Sequence, residues 1–511
     1  MLASKSVEGS VPKVARFLAD GVLGGAGFFV LTLAGYCIVR YGIAPHYGVL
    51  IVVGGLLLAA LFGRQDLKAN LAILVLVTGL SVYAAEVVML VSARATPSDQ
   101  GPMWLRFASV FSAEEVSETA GRASKQGVQF DRRSRLEVVE DLERRGVRAY
   151  PAMVPSILLQ ANAEGVEESQ VKAGGKELLP LGGISRVTTV FCNENGRYTI
   201  YDSDETGFHN PIGSWNVASL EMVTVGDSFT HGACVPSDKS FVGKIRAGVP
   251  SLVNLGMDDN GPLMMLASIK EYAADLRPKI VLWFYFEGND LGDLRRERNS
   301  PLLMNYLRPG FRQQLRNQQT HIDDLLASYV AKVRAEQVPQ VRFEEIVKLH
   351  HLRDKLAVLL KQVQQRGITP EEQRYFAENS SPASPGDMEL FRTVIAEAQR
   401  TVQEWGGRLY FVYLPQWERY AGSPHLNPNR DRVLGTIQEL HVPIIDVHPT
   451  FESMKDPLSL FPFRQRGHYN EVGHELVASL VLKALPAEPV RAIATATGRL
   501  ENTVSLRRPA P

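Results

Sequence analysis

From Leu220 onward the chain alternates short β-branched or aromatic runs with longer amphipathic stretches, and this alternation restricts the fold more than any other feature. Strands are expected at Met222 to Val225, Ser251 to Leu255, Ile280 to Phe286, Arg408 to Leu414 and Pro443 to Val447. Helices are expected between them: after Asp238, at Leu263 to Leu276, at Met388 to Trp405, at Asn429 to Leu440, and from Glu471 to the end of the domain. Strands joined through helices require right-handed crossovers, so the pattern implies an α/β domain over residues 220–485 with a parallel sheet covered on both faces, three layers in all. Ligands of such sheets lie beyond the carboxyl ends of the strands. Ser228, Gly256 and Asn289 all fall at such ends. A stretch at about 291–385, rich in Gln, Arg and Glu at helical spacing, interrupts the alternation and is expected to be a helical insertion that covers the site or meets a partner.

Three apolar stretches precede this domain. Gly21 to Val39 carries no charge, Tyr41 to Gly63 none beyond a possible one on His46, and Ala69 to Ala93 only Glu86. Each meets the length of about 20 residues that a membrane-spanning helix needs. Residues 1–95 are therefore expected to form three transmembrane helices, retained because two further spans follow the first at once, unlike a cleaved signal peptide. Lys5, Lys13 and Arg16 precede the first span and Arg64 and Lys68 fill the second loop, against Arg40 and Arg94 on the other side. This excess of basic residues puts the N-terminus in the cytoplasm, and three crossings put everything after Arg94 outside, in the periplasm or beyond the cell. Glu86 is expected to reach the interface near Arg94. Gly21 with Gly25, and Gly55 with Ala59, are small residues four apart that allow close helix packing, among the three helices or with a partner.

Residues 96–219 mix a charged helical stretch, Arg132 to Arg145, with β-branched runs at Val187 to Phe191 and Tyr198 to Tyr201, and read as a small α+β lead-in. Residues 486–511, rich in Ala, Arg and Pro, read as a flexible tail. The 55 basic and 55 acidic side chains balance, so nothing electrostatic points to nucleic acid. Of three cysteines, Cys37 lies in the first span; Cys192 and Cys234 lie in the exported part, where a disulfide is permitted but not deducible. His350 and His351 read as surface residues. No metal or cofactor is expected.

The chemistry begins at Gly226-Asp227-Ser228-Phe229, directly after the run Leu220 to Val225. A serine on a strand-to-helix turn is accessible both to a base and to donors that stabilise an oxyanion, although a serine there is also a common helix cap. Three further blocks follow in order: Asn254-Leu255-Gly256, then Glu287-Gly288-Asn289-Asp290, then Gly467-His468-Tyr469-Asn470 with Gly473-His474. Order and placement of the four blocks resemble the SGNH (GDSL-type) hydrolase superfamily, over about 220–485 without the insertion. The resemblance implies that Ser228 is the nucleophile, His468 its base, and the Ser228 and Gly256 backbone N–H groups with the Asn289 amide the oxyanion hole. Histidine suits the base role because its reference pKa of about 6.5 allows proton exchange near neutrality. His474, six residues further on, reads as a packing residue.

Two positions depart from the pattern. Gln465, followed by Arg466, stands where the superfamily has an aspartate three residues before the base. That implies a Ser–His dyad, a substitute acceptor such as a backbone carbonyl, or lost activity. Glu287 stands where a glycine usually precedes the asparagine by two.

Membrane-anchored members commonly add or remove acetyl groups on cell-surface polysaccharide. The resemblance thus implies a serine esterase or O-acyltransferase acting through an acyl-serine on acyl, chiefly acetyl, esters of cell-envelope polysaccharide. Tyr410, Tyr413, Trp417 and Tyr420 are candidate stacking partners for sugar rings, two of them equally readable as strand core. Transfer, unlike hydrolysis, implies a membrane-embedded acyl-donor partner. A catalytically silent domain that binds polysaccharide or organises an export or assembly complex is the alternative.

Overall fold

The structure is a computed structural model that describes residues 13–41, 45–95, 113–217, 219–336, 349, 352, 381–422 and 426–486. His350, His351, the tail after residue 486 and most of the second half of the insertion lie outside the described residues. The chain forms two compact units, one of residues 1–97 with 339–367 and one of residues 98–338 with 368–511.

The first unit holds the helices Lys13–Tyr41, Pro45–Ala59, continued by a 3-10 turn at Ala60–Phe62, and Gln65–Ala95. Two segments, Lys13–Tyr36 and Gln65–Met89, are long and apolar enough to cross a membrane, whereas the apolar helix Gly48–Phe62 between them is shorter. The expected count of three full-length spans is thus corrected to two. Pro45 starts the middle helix and Gly63, extended at φ −78° and ψ 178°, stops it.

Close helix packing falls at other glycines than expected. A Cβ on Gly27 would lie 3.1 Å from the Gly54 carbonyl oxygen, and one on Gly54 would lie 3.1 Å from that of Gly27, so the first two helices meet backbone to backbone there. Gly21, Gly25 and Gly55 would meet nothing within 4 Å. Glu86 is fully buried, and its Oε2 accepts from the Leu352 N–H at 2.8 Å.

The second unit opens with helices Ala113–Lys125 and Arg135–Arg144, the latter started by a reciprocal cap between Ser134 and Glu137. A small sheet follows, made of β1 (Ala149–Pro151), β2 (Thr188–Val190) and β3 (Ile200–Asp202), with β1 parallel and β3 antiparallel to β2. The main sheet consists of β4 (Met222–Val225), β5 (Leu252–Asn254), β6 (Ile280–Phe286), β7 (Arg408–Leu414) and β8 (Ile444–Asp446). Its order is β8-β7-β6-β4-β5 and every pairing is parallel, with Ile280 opposite both Met222 and Arg408.

Successive residues of each strand point to opposite faces, and both faces are apolar. Val223, Val225, Val281, Trp283, Tyr285, Phe411 and Tyr413 enter one core with residues of helices Pro262–Ser268, Pro385–Glu404 and Arg430–Glu439. Met222, Leu282, Phe284, Tyr410 and Val412 enter the other with helices Phe241–Gly248 and Glu471–Ala484. Tyr410 and Tyr413 are therefore core residues rather than sugar platforms; the Tyr413 hydroxyl donates to Glu287 inside the protein. The expected helix Leu263 to Leu276 is α-helical to Ser268 and then widens into a π-turn at Ile269–Ala273.

The chain runs from β4 out to β5 and returns across β4 to β6, so the direction of winding reverses between β4 and β6. A crevice opens at such a reversal, beyond the carboxyl ends of the two strands. Ser228 follows β4 and Asn289 follows β6, one on each side of it.

Phe284 is fully buried, and its ring stacks on that of Phe241 at 4.5 Å between centroids. Phe284→Ala should lower the stability of this unit by about 3–5 kcal/mol through the cavity it leaves, read as a shift of the denaturation midpoint.

Candidate active site

Ser228 opens a four-residue helix, Ser228–His231, that Gly232 ends in a left-handed conformation at φ 91°. Asp227 caps it, its Oδ1 accepting from the Phe229 N–H at 3.0 Å. The neighbouring loop is locked against this turn: the Met257 N–H donates to the Gly226 carbonyl, and a Cβ on Gly256 would sit 2.6 Å from Thr230 Cβ. Only glycine permits that approach. The Phe229 ring lies 4.2 Å from the Phe286 ring and 4.8 Å from the His468 ring, joining the nucleophile turn to the end of β6 and to the segment before the last helix.

His468 Nε2 lies 2.8 Å from Ser228 Oγ although 240 residues separate them. On the other side of the ring, Nδ1 lies 2.7 Å from Glu194 Oε1, and the His468 backbone N–H donates to Glu194 Oε2 at 2.8 Å. The carboxylate thus holds the proton on Nδ1 and leaves Nε2 of the neutral ring to accept from the serine hydroxyl. Ser228, His468 and Glu194 are all buried. This hydroxyl–imidazole–carboxylate chain has the geometry of a nucleophile, a base and an orienting acid.

Glu194 is the residue that sequence reasoning missed: of the alternatives at Gln465 it realises the substitute acceptor, as a carboxylate rather than a backbone carbonyl, and not a dyad. It comes from the lead-in, between β2 and β3, rather than from the segment before His468. Gln465 faces Arg122 and, with its amide turned over, sets its oxygen 3.1 Å from Arg122 Nε, and Arg466 pairs with Glu418 at 3.0 Å. Several local features seat Glu194. Asn193 Oδ1 accepts from the Gly196 N–H at 2.9 Å, and Asn193 Nδ2 donates to the Asp131 carbonyl at 2.8 Å, closing the turn. A disulfide joins Cys192, two residues before the glutamate, to Cys234, six residues after the serine. Gly467, at φ 155°, leaves room for the carboxylate, because a Cβ there would lie 2.7 Å from Glu194 Oε2. The available signal was an acid within two residues of a cysteine whose only mate outside the apolar N-terminal stretches follows the nucleophile.

Burial by itself would depress the His468 pKa. Attraction from Glu194 and the hydrogen bond to it, with Asp258 and Asp227 adding, outweigh that and hold it at about 9. Burial raises Asp227 and Asp258 above the usual carboxylate range, with the His468 charge pulling both back. His209, His231 and His474 are pushed down by burial, His209 to about 4 and His474 to about 3, and stay neutral. His474 is a packing residue: its Nδ1 accepts from the Phe241 N–H at 3.1 Å and its ring lies 5.2 Å from that of Phe241.

The expected oxyanion donors differ in availability. Among the described residues, neither the Ser228 N–H nor the Asn289 amide nitrogen donates to a protein group, and Asn289 Oδ1 is buried without a partner. The Gly256 N–H is engaged, donating to Asn254 Oδ1 at 2.9 Å. Glu287 points away from the reacting centre. Its carboxylate accepts from Arg419 Nε at 2.7 Å and from the Gln416 N–H at 2.7 Å, and its carbonyl accepts from Asn427 Nδ2, so it pins the loop that leads to Asn289.

Trp417 and Tyr420 are half-buried at the edge of the second core; Trp417 Nε1 donates to the Arg464 carbonyl at 3.2 Å, and the Tyr420 hydroxyl contacts His448 Nδ1 at 2.9 Å. Glu194, Cys234 and His468 form the one cluster of metal-ligand residue types among the described residues. Its sulfur is tied up in the disulfide and is no thiolate, so the set does not fit a metal ion.

No protein-family model and no curated protein matches this chain. It is similar to the solved structure of a putative lipolytic protein of the G-D-S-L family from Desulfitobacterium hafniense, at 12% identity and a TM-score of 0.29, over 52% of this chain and 100% of the other. A GDSL-like lipase from Bacteroides thetaiotaomicron is similar at 9% identity and a TM-score of 0.27, over 53% and 92%. An acetyl xylan esterase is similar at 10% identity and a TM-score of 0.28, over 52% and 100%.

Glu194→Gln should cut kcat by roughly 10²–10⁴-fold, because the imidazolium loses its counter-charge in the transition state. The sign of the pH effect follows from the balance at His468. With Glu194 present the ring becomes a free base only as pH rises through about 9, so the acid limb of kcat/KM should lie there. In Glu194→Gln burial prevails and the limb should move to lower pH, which a pH–rate profile of the two proteins reads directly.

Proposed function

We propose that this protein is a membrane-anchored SGNH-type serine esterase or O-acyltransferase that works through an acyl-serine on acyl esters of cell-envelope polysaccharide, acetyl esters foremost. The observation that carries the reading is the unbroken contact from Ser228 Oγ to His468 Nε2 at 2.8 Å and from His468 Nδ1 to Glu194 at 2.7 Å.

In the first step His468 Nε2 takes the Ser228 proton as Oγ attacks the ester carbonyl, and Glu194 balances the imidazolium. The Ser228 N–H and the Asn289 amide donate to the oxyanion, and the Gly256 N–H joins them if it leaves or shares its bond to Asn254. His468 then gives its proton to the departing alcohol, leaving an acyl-serine. Water or a sugar hydroxyl, deprotonated by the same imidazole, releases the acyl group. The first gives an esterase; the second gives a transferase, which calls for a membrane-embedded donor partner. Glu194 supplies at His468 the carboxylate whose absence at Gln465 would favour a silent binding domain, which supports the enzyme reading.

The membrane reading draws on the two long apolar helices of the first unit, whose Phe17, Leu18, Phe28 and Val88 are exposed. A disulfide near the site favours an oxidising compartment over the cytosol.

The full-length protein in detergent should turn over p-nitrophenyl acetate and acetylated polysaccharide and take up a fluorophosphonate label, and Ser228→Ala should lose both. Equal turnover by the variant sinks the acyl-serine. Labelling with slow hydrolysis that quickens when a polysaccharide acceptor is added marks the transferase.

A further inference from the structure

We propose that the Cys192–Cys234 disulfide is a positioning clasp of the catalytic site, holding the segment that carries Glu194 against the segment that carries Ser228, so that the acid–base pair is complete only in the oxidised protein. This rests on the acyl-serine reading above.

The clasp ties two stretches that have no continuity in sequence. Cys192 leaves the end of β2 and Glu194 follows two residues later. Cys234, at φ 60°, follows the turn at Gly232 that ends the nucleophile helix. The two Cα atoms are 5.1 Å apart across 42 residues of chain. Two hydrogen bonds run beside the bridge: Asn195 Nδ2 donates to the Cys234 carbonyl at 2.7 Å, and Thr199 Oγ1 donates to the Val235 carbonyl at 3.2 Å. Ala152, Phe191, Tyr201 and Ala233 close over the sulfurs. Phe191 also stacks on His231 of the nucleophile helix at 4.1 Å, so the bridge, two residues before Glu194, is the covalent tie in a set of contacts that includes the Asn195 hydrogen bond one residue after it.

The cysteines are 1% and 2% exposed, which shields the closed bridge from attack by an external thiol. The clasp is therefore set once, as the two segments come together, and is not cycled. Two thiols give up two protons and two electrons to a disulfide-bearing exchange protein, through a mixed disulfide, and that protein leaves as a dithiol. Until then Glu194 is not fixed beside His468, and the imidazole keeps only the weaker attraction of Asp258 and Asp227. Such an enzyme stays latent on the reducing side of a membrane.

The test compares the full-length wild type with Cys192→Ala/Cys234→Ala, with Glu194→Gln, and with the triple variant, at several pH values on p-nitrophenyl acetate. The clasp predicts that the double variant loses roughly the same 10²–10⁴-fold in kcat as Glu194→Gln, with KM little changed. Its acid limb should move below that of the wild type, as in Glu194→Gln, and adding Glu194→Gln to it should cost nothing further, as expected when two changes remove one interaction. A limb that stays in place, or losses that multiply in the triple variant, would make the bridge a matter of stability alone and overturn the proposal. Should the double variant not fold, Asn195→Ala keeps the bridge and removes its flanking hydrogen bond. Its kcat and limb should match the wild type, and a loss like that of Glu194→Gln would show that the hydrogen bond, not the bridge, holds the acid. Failure of the acyl-serine reading looks different: Ser228→Ala would then match the wild type.

Discussion

The contact between Glu194 and His468 is the interaction on which the site depends. A carboxylate and an imidazole are buried side by side, each in a place where a lone charge would be expelled. Together they are tolerable because the carboxylate is satisfied twice by one residue, through the ring nitrogen and the backbone N–H of His468. The second bond orients the main chain as well as the side chain. Ring tautomer, ring direction and the main chain at His468 are therefore set by one carboxyl group.

Much of the sheet was legible because its signal is local. The strands Ile280–Phe286 and Arg408–Leu414 match expectation to the residue, since seven successive apolar residues in the first, and six after the exposed Arg408 in the second, fit strands buried on both faces. Shorter elements blurred at their ends, as with β5, where the flanking Ser251 and Leu255 lie outside the paired residues. Ser228 and His468 were legible for a related reason: each sits at the boundary of an element whose position the pattern gives. Glu194 was not. It lies 274 residues from its partner in a short turn with no periodicity, and only pairing of two cysteines across the lead-in and the nucleophile turn would have pointed to it. Gly27 and Gly54 escaped for the same reason, because spacing within a helix does not say which face meets its neighbour.

The departure at Glu287 shows how a site absorbs a change of residue type. In place of a small residue before Asn289 the protein buries an acid and surrounds it with Arg419, Tyr413 and the Gln416 N–H. Losing one partner of such a group is more damaging than never having it, since an uncompensated charge remains. The loop to Asn289 is thereby held from beneath rather than left to its own flexibility. Asn254 plays a comparable part opposite, with Thr224, Gly256 and the Thr230 carbonyl all bonded to its amide.

The origin of the acid outside the five-stranded sheet has a further consequence. Along the chain the order is acid, nucleophile, base, with the acid contributed by a segment that precedes β4 altogether. A polypeptide beginning at Leu220 would contain every block of the resemblance and all five parallel strands, yet its imidazole would face a hole where the counter-ion belongs. Boundaries drawn by motif alone would cut the reactive centre in two.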